Sequence, residues 1–175
     1  MKDILIDLQD DDLLDLHDPL EIGERLGNED VAKSLKTKIT FSYANVDIGD
    51  TAYGFNQEFT NKDTRRYFTL LSEFSRCTLA EMLEVKDVKD DEGELLHLNR
   101  TYIRGNLRDV FRSLGKEVDD ATTIIYHFAL YTHRGADACR ATGVRSPRVY
   151  FMVGQYGIMH ILFFDPYHEI NAVSH

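Results

Sequence analysis

The chain has 175 residues, a hydrophobic content of 43%, nine Tyr and ten Phe, and a formal net charge of −10. This length predicts one domain with its own hydrophobic core, and the aromatic content excludes a disordered chain. The acidic charge argues against broad binding of nucleic acid, because the phosphate backbone repels an acidic surface.

Residues 1–30 form an acidic leader that holds eleven Asp or Glu against Lys2 and Arg25. Acids alternate there with leucine, and Asp18 followed by Pro19 is typical of a helix start. The pattern indicates an amphipathic arm, either a solvated helix packed on its own domain or a segment that docks elsewhere. Residues 31–175 are predicted to form a single α+β domain.

The first predicted elements are a half-buried strand over residues 38–46 and a helix over residues 62–83. Thr60 suits the N-cap of that helix, with Asp63 as the acid of a capping box. Residues 84–95 are rich in charge and predict a solvated loop. The apolar stripe of the helix predicts a face packed in the core, and it comprises Tyr67, Phe68, Leu70, Leu71, Phe74, Leu79, Met82 and Leu83.

A second helix is predicted over residues 101–115, since apolar residues from Ile103 onwards follow helical spacing and Gly115 suits its C-terminal end. An arginine recurs at every fourth residue, which predicts an arginine stripe along this helix: Arg100, Arg104, Arg108 and Arg112. Guanidinium groups bind phosphate and carboxylate bidentately, so the stripe is a candidate binding surface. The alternative is a solvated face paired with the acids of residues 84–95 or of the leader.

Three further strands are predicted over residues 122–130, 147–153 and 157–164, and the last two flank a glycine turn as in a hairpin. The final strand is apolar on both faces, which is typical of a central strand. Together with residues 38–46 these strands predict an antiparallel sheet of about four strands, packed by two main helices.

Two histidines on these strands, His127 and His160, are predicted to be structural because their neighbours are apolar. Strict alternation puts His160 on the same strand face as Leu162 and Phe164.

The loop of residues 131–146 is long for a connection between two strands of a compact domain. Its length, glycines and cations make it a candidate binding loop, with a mobile loop of no function as the alternative. Arg148, which begins the next strand, and His168, which follows the last strand, complete the candidate binding set. The candidates in the loop itself are His133, Arg134, Arg140 and Arg145.

No signature of a standard nucleotide-binding or hydrolase site occurs, such as Walker A, GxGxxG or GxSxG. Asp165 and His168 lack further ligands at metal-binding spacing, and Asp47 with Asp50 lacks the pattern of an EF-hand. Cys139 lies beside Arg140, whose positive charge favours the thiolate form of the cysteine, but no motif of a cysteine nucleophile surrounds it. The sequence therefore predicts no metal and no cofactor, and it assigns no catalytic residue.

The C-terminal pattern runs from Arg148-Val149-Tyr150 through a glycine turn to a strand that closes in Asp165-Pro166-Tyr167-His168. It resembles the ending of small uncharacterised bacterial proteins, often of mobile elements. It is more loosely similar to the end of the sheet in RelE-like toxins, which are ribonucleases that cut messenger RNA. The resemblance implies that Arg148, His160 and His168 lie nearest an active face, although this chain is acidic and longer than those toxins.

Charge is uneven along the chain, with 11 Lys or Arg against 23 Asp or Glu in residues 1–95, and 9 against 7 thereafter. The favoured function is a non-enzymatic binding protein that uses the arginine stripe and the basic loop of residues 131–146, with another protein as partner. The alternative is a RelE-like ribonuclease or another phosphate-directed enzyme, which would contact nucleic acid through the C-terminal half only. The acidic leader is predicted to mask the arginine stripe by attraction within the same molecule.

Two widely separated cysteines, Cys77 and Cys139, exclude a disulfide framework. The first residues lack a signal-peptide pattern, and no run approaches the roughly 18 apolar residues of a membrane span. These features predict a soluble cytoplasmic protein without membrane contact.

Overall fold

The computed structural model describes residues 33, 35–49, 52–84, 87–89, 95–103, 105–113, 124–131, 138–154 and 157–170. This part of the chain has the predicted α+β fold, with a mostly antiparallel sheet and two main helices. The predicted leader, residues 1–30, lies outside the described residues. The elements in chain order are β1 (Thr40–Ser42), α1 (Asn61–Phe74), α2 (Leu79–Glu84), β2 (Asp87–Lys89), β3 (Leu95–Tyr102), α3 (Asn106–Ser113), β4 (Ile124–Ala129), β5 (Arg148–Val153) and β6 (Ile158–Asp165).

The strands of the sheet lie in the order β1-β6-β5-β4-β3-β2. Neighbours from β2 to β6 are antiparallel, whereas the short strand β1 runs parallel to β6. The predicted hairpin is confirmed as β5 and β6, and both of its strands lie inside the sheet. Beyond β1 the backbone of β6 is covered by a loop, in which Asp47 N donates to Leu162 O at 2.8 Å and Phe164 N donates to Tyr53 O at 2.8 Å.

Each face of the sheet carries its own hydrophobic core, since side chains of a strand alternate between the two sides. The first core packs α1 and α2 against residues such as Phe128, Phe151 and Ile161. The second core packs α3 against residues such as Tyr150, Met152 and Phe163. We call the two sides the first face and the second face.

A β-bulge in β6 interrupts the alternation that the sequence analysis assumed. Tyr150 has Phe163 as its Cα partner, but the next residue, Phe151, pairs with Ile161, so that Leu162 is an extra residue. As a result Leu162 and Phe163 both pack in the second core, and Phe164 packs in the first. The prediction that His160 shares a face with Phe164 is therefore wrong.

The long helix predicted over residues 62–83 is two helices, α1 and α2, because the chain turns at residues 75–78. The N-terminal cap of α1 is confirmed, with Thr60 N donating to Asp63 Oδ2 at 2.9 Å and Asp63 N to Thr60 Oγ1 at 3.3 Å. The same reciprocal pairing of Thr78 with Glu81 begins α2. This second capping box is a local signal for the break that the sequence analysis missed.

The helix predicted over residues 101–115 starts later, as α3, and the residues before it belong to strand β3. Gly105 has a φ of +53° and accepts the first helical hydrogen bonds, so the chain changes direction there. Ile103 precedes the helix and is buried in the second core, so its position in the sequence fits the apolar spacing of the helix although it is not part of it. Residues 84–95 are not simply a loop either, because β2 pairs with the start of β3.

No helix in the described part of the chain combines the length and apolar content that a membrane crossing requires.

Candidate functional site

The arginine stripe does not lie on one helix, so the prediction made from an arginine at every fourth residue is wrong. Arg100 lies on β3, with Tyr126 as its Cα partner, and Arg104 lies outside the described residues. Arg108 and Arg112 do lie on α3. Arg112 is exposed and approaches Asp109 at 3.6 Å in an equally exposed pair.

The described half of the basic loop is held to the rest of the domain through Arg140. Its Nη1 donates to both carboxylate oxygens of Glu58, at 2.8 and 2.9 Å, and its Nη2 donates to Ala52 O at 3.0 Å. The backbone nitrogen of Arg140 donates to Glu169 Oε1 at 2.9 Å, and its guanidinium stacks 4.7 Å from the ring centre of Tyr167. Two other candidates of this loop, His133 and Arg134, lie outside the described residues.

Arg145 forms the shortest described ion pair, with Nη2 at 2.6 Å from Asp63 Oδ2. The Asp63 carboxylate is buried, and it also accepts hydrogen bonds from Thr60 and from the hydroxyl of Tyr131. Burial and the charge of Asp63 raise the pKa of Tyr131 to about 12. The cap of α1 is thereby tied to the basic loop, and Arg145 serves the fold.

A group of buried polar residues lies on the second face, at the end where β5 begins and β6 ends. We define this second-face polar cluster as His127, Arg148, Tyr150, Asp165 and His168. Arg148 and Asp165 are Cα partners, and both side chains are fully buried. Arg148 Nη1 donates to the carbonyls of Ser146 and Pro147 at 3.1 and 3.0 Å.

Asp165 organises the chain segment that follows β6. Its carboxylate accepts hydrogen bonds from Tyr167 N at 3.1 Å and from Ile170 N at 2.9 Å. Burial nevertheless raises the pKa of Asp165, because the low-dielectric surroundings disfavour the charged form. The turn inserts Ile170 in the second core and brings His168 over the sheet.

His168 lies against His127, with 6.0 Å between ring centres, and His127 in turn lies 4.9 Å from the ring of Tyr150. The backbone of His168 has a φ of +59°, a left-handed conformation that is uncommon for a residue other than glycine. His127 is buried and His168 is half-buried. Two imidazoles at this spacing offer proton donors and acceptors on the second face of the sheet.

His160 lies on the second face as well, but near the hairpin turn of β5 and β6. Its side chain is buried, and a Cβ at Gly154 would approach His160 Nε2 to 2.5 Å. Burial lowers the pKa of His160 from its usual 6.5, which favours the neutral imidazole. The predicted burial of this histidine is confirmed.

Cys139 is half-buried, and the hydroxyl of Thr142, 3.3 Å from its sulfur, lowers the pKa of the thiol. No group of three or more metal-binding side chains converges among the residues that the structure describes. The polar cluster and the thiol therefore offer acid–base and hydrogen-bonding chemistry.

The outer surface of α1 is a feature that sequence spacing missed. The predicted core stripe included Phe68, yet its side chain is 57% exposed, so that part of the prediction is wrong. The exposed positions of α1 include two cations and no acid. They are Asn61, Lys62, Arg65, Phe68, Thr69 and Ser72. We call these residues the α1 outer face.

A second exposed aromatic, Tyr43, contacts the buried tyrosine that precedes Phe68. Tyr43 is 43% exposed, and its hydroxyl lies 3.2 Å from that of the buried Tyr67. The ring of Tyr67 contacts Phe68 at 5.3 Å between centres. The two exposed rings therefore flank one buried tyrosine.

Comparison of the chain with protein-family models, with curated proteins and with solved structures gave no match.

Proposed function

We propose that this protein is a non-enzymatic binding protein that holds an acidic, leucine-bearing segment of a partner protein on the α1 outer face. The observation that carries the proposal is the exposure of Phe68 beside cations, on a helix whose fully exposed positions include no acid although the chain has a net charge of −10.

Exposed aromatic residues and arginine are the residue types that dominate binding energy at protein interfaces. Phe68 and Tyr43 offer apolar area to a leucine side chain, and Arg65 offers a guanidinium that binds a carboxylate bidentately. A partner with both leucine and acid matches both kinds of group.

Three described arginines in and beside the basic loop support a protein partner over nucleic acid. Arg140 and Arg145 pair with carboxylates of the same chain, and Arg148 is buried against backbone carbonyls. Phosphate groups would have to compete with these contacts and with the acidic charge of the whole molecule.

The test is titration of the full chain with a labelled synthetic peptide of 20 residues in which Asp and Glu alternate with Leu, followed by fluorescence anisotropy. We expect Phe68→Ser and Arg65→Glu each to weaken binding about tenfold, since each removes a central contact. Arg112→Glu is the matched control, because Arg112 is also an exposed arginine on a helix, α3.

Equal affinity of the peptide for all three variants would contradict the proposal. Binding of polyglutamate as tight as that of the leucine-bearing peptide would also contradict it, because attraction between charges alone would then explain the binding.

One observation favours a second candidate, a ribonuclease on the second face. His127 and His168 lie together on the second face of the sheet, and His168 has the left-handed backbone that is often found at functional sites. In such a reaction one imidazole takes the proton of the ribose 2′-hydroxyl as its oxygen attacks phosphorus. The other imidazole protonates the leaving 5′-oxygen, which yields a 2′,3′-cyclic phosphate.

Incubation of a labelled RNA with the full chain tests this candidate. Formation of a 2′,3′-cyclic phosphate by the wild type and its loss in His168→Gln would support the ribonuclease. Intact RNA, or cleavage that persists in the folded variant, would contradict it.

A further inference from the structure

We infer that residues 1–30 of the same molecule occupy the α1 outer face and compete there with the partner segment. The inference rests on the proposed function, and it adds a regulatory ligand that the chain itself supplies.

The composition of residues 1–30 matches the ligand that the α1 outer face fits. Eleven acids and two cations occur in this segment, and leucines recur between the acids. The surface offers the complementary groups, with Phe68 and Tyr43 as apolar contacts and Arg65 as a cation. Acids attract the cations over a Debye length, and leucines bury the exposed rings.

Thr37 and Ile39, among the first described residues after the leader, lie next to the C-terminal end of α1. Thr37 O accepts a hydrogen bond from Leu79 N at 3.2 Å, and Ile39 N donates to Cys77 O at 3.2 Å. Phe68 lies six residues before the end of α1 at Phe74, which is about 9 Å along a helix. A segment of 30 residues spans about 45 Å even when it is helical, so it easily reaches this surface.

Exposed cations occur in the first described residues, at the C-terminal end of α1 and on α1 itself. The side chain of Lys38 donates to the carbonyl of Arg76, which fixes this lysine at the end of α1. The acids nearby are Glu73, which is half-buried, and Glu81, whose carboxylate accepts a hydrogen bond from Thr78 N. The exposed cations are Lys33, Lys36, Lys38, Arg76, Arg65 and Lys62.

A tethered leader needs only weak affinity to compete, because its effective concentration near the surface is on the order of a millimolar. An intrinsic dissociation constant of about 0.1 mM would then lower the apparent affinity for a partner roughly tenfold. Added salt would release the leader only in part, since it screens the charges and leaves the leucine contacts intact.

The experiment uses the full chain with a benzoylphenylalanine photo-crosslinker in place of Phe68. Irradiation should link position 68 to residues 1–30 of the same molecule, as identified by mass spectrometry of the monomer band. A second full-length chain carries Leu13→Ser, Leu14→Ser and Leu16→Ser, and it should lose this crosslink. The same crosslinker in place of Arg112, on α3, is the control and should give no crosslink to the leader.

The acidic leucine peptide then measures the competition, with about tenfold tighter binding to the leucine-to-serine chain than to the wild type. If the peptide binds both chains equally and position 68 does not crosslink to the leader, the inference is wrong and the proposed function stands. If the peptide binds neither chain, the proposed function fails. A crosslink to the leader in a chain that does not bind the peptide would also contradict the inferred competition between leader and partner.

Discussion

The first and second faces of the sheet are built from the same strands but bury different chemistry. On β4, Phe128 enters the first core beside the rings of Tyr67 and Phe74, whereas its neighbour His127 enters the second face against Tyr150. Aromatic rings and aliphatic side chains fill the first core. The second face also holds histidines and a buried Arg148 and Asp165.

Polar groups cost free energy when they leave water, so a face that contains them must supply hydrogen bonds. Asp165 obtains them from the backbone of the turn after β6, and Arg148 from backbone carbonyls beside β5. The first face has its own buried carboxylate, Asp63, but it lies at the end of α1 and is paired with Arg145. The first face is therefore built for stability, while the second retains groups that can exchange protons.

The largest loss of stability should come from substitution of Phe128, and its neighbour His127 on the other face of β4 is the comparison. Phe128→Ala should lower the free energy of unfolding by about 4 kcal/mol, because it leaves a cavity in the first core. His127→Gln should lower it by about 1 kcal/mol, since it removes ring contacts but keeps a polar side chain of similar size. Urea denaturation followed by circular dichroism measures both, and equal losses would refute the contrast between the faces.

A second prediction concerns the buried carboxylate on the first face. Arg145→Ala should lower the free energy of unfolding by about 3 kcal/mol, because Asp63 remains buried after losing its cation. Arg112→Ala is the control and should cost no more than about half a kcal/mol, since its side chain is 69% exposed. Similar shifts of the urea midpoint in the two variants would show that the Asp63 pair contributes no more than a surface contact.

A third prediction tests the packing of His160 on the second face. Gly154→Ala should cost about 2 kcal/mol, because the new methyl group overlaps the imidazole. In a His160→Ala background the same change should cost much less, which a double-mutant cycle detects as coupling. Gly143→Ala, where φ is +71° and no atom lies near, should cost about 1 kcal/mol and show no coupling to His160.

The smallest effect is a dependence of stability on pH. Burial lowers the pKa of folded His160 below the 6.5 of the unfolded chain, so its contribution is complete above pH 6.5. As the pH falls from 6.5 through the folded pKa, protons bind the unfolded state first and stability is lost, by at most about 1.4 kcal/mol per pH unit.

His160→Gln should lack this loss, so the stability advantage of the wild type over the variant should shrink on acidification. Urea denaturation at pH 7.5, 6.5 and 5.5 measures the difference. A difference that stays constant, or that grows as the pH falls, would mean that His160 is not desolvated.

Elements with strong local signals could be predicted from the sequence. The hairpin of β5 and β6 follows from two apolar runs around a glycine turn, and the start of α1 follows from Thr60 and Asp63, whose side chain and backbone pair within one turn. Burial of His127 and His160 also followed from their apolar neighbours. These signals succeed because the interacting groups lie within a few residues of one another.

Only the tertiary structure decided the features that depend on distant partners. Periodic spacing assigned Arg100 to a helix, but pairing with Tyr126 places it in β3. The bulge at Leu162 lies where β6 pairs with β5 and where Leu162 O accepts a hydrogen bond from Asp47 N, and no local residue type marks it.

The candidate surfaces were decided in the same way. Phe68 belongs to an apolar helical pattern, yet α1 packs on the sheet through Tyr67, Leu71 and their neighbours and leaves Phe68 exposed. Arg145 is one of several cations in a basic loop, and its role depends on Asp63, which lies 82 residues away in the chain. Spacing along a sequence determines which side chains share a face, whereas the contacts of that face are set by elements that folding brings together.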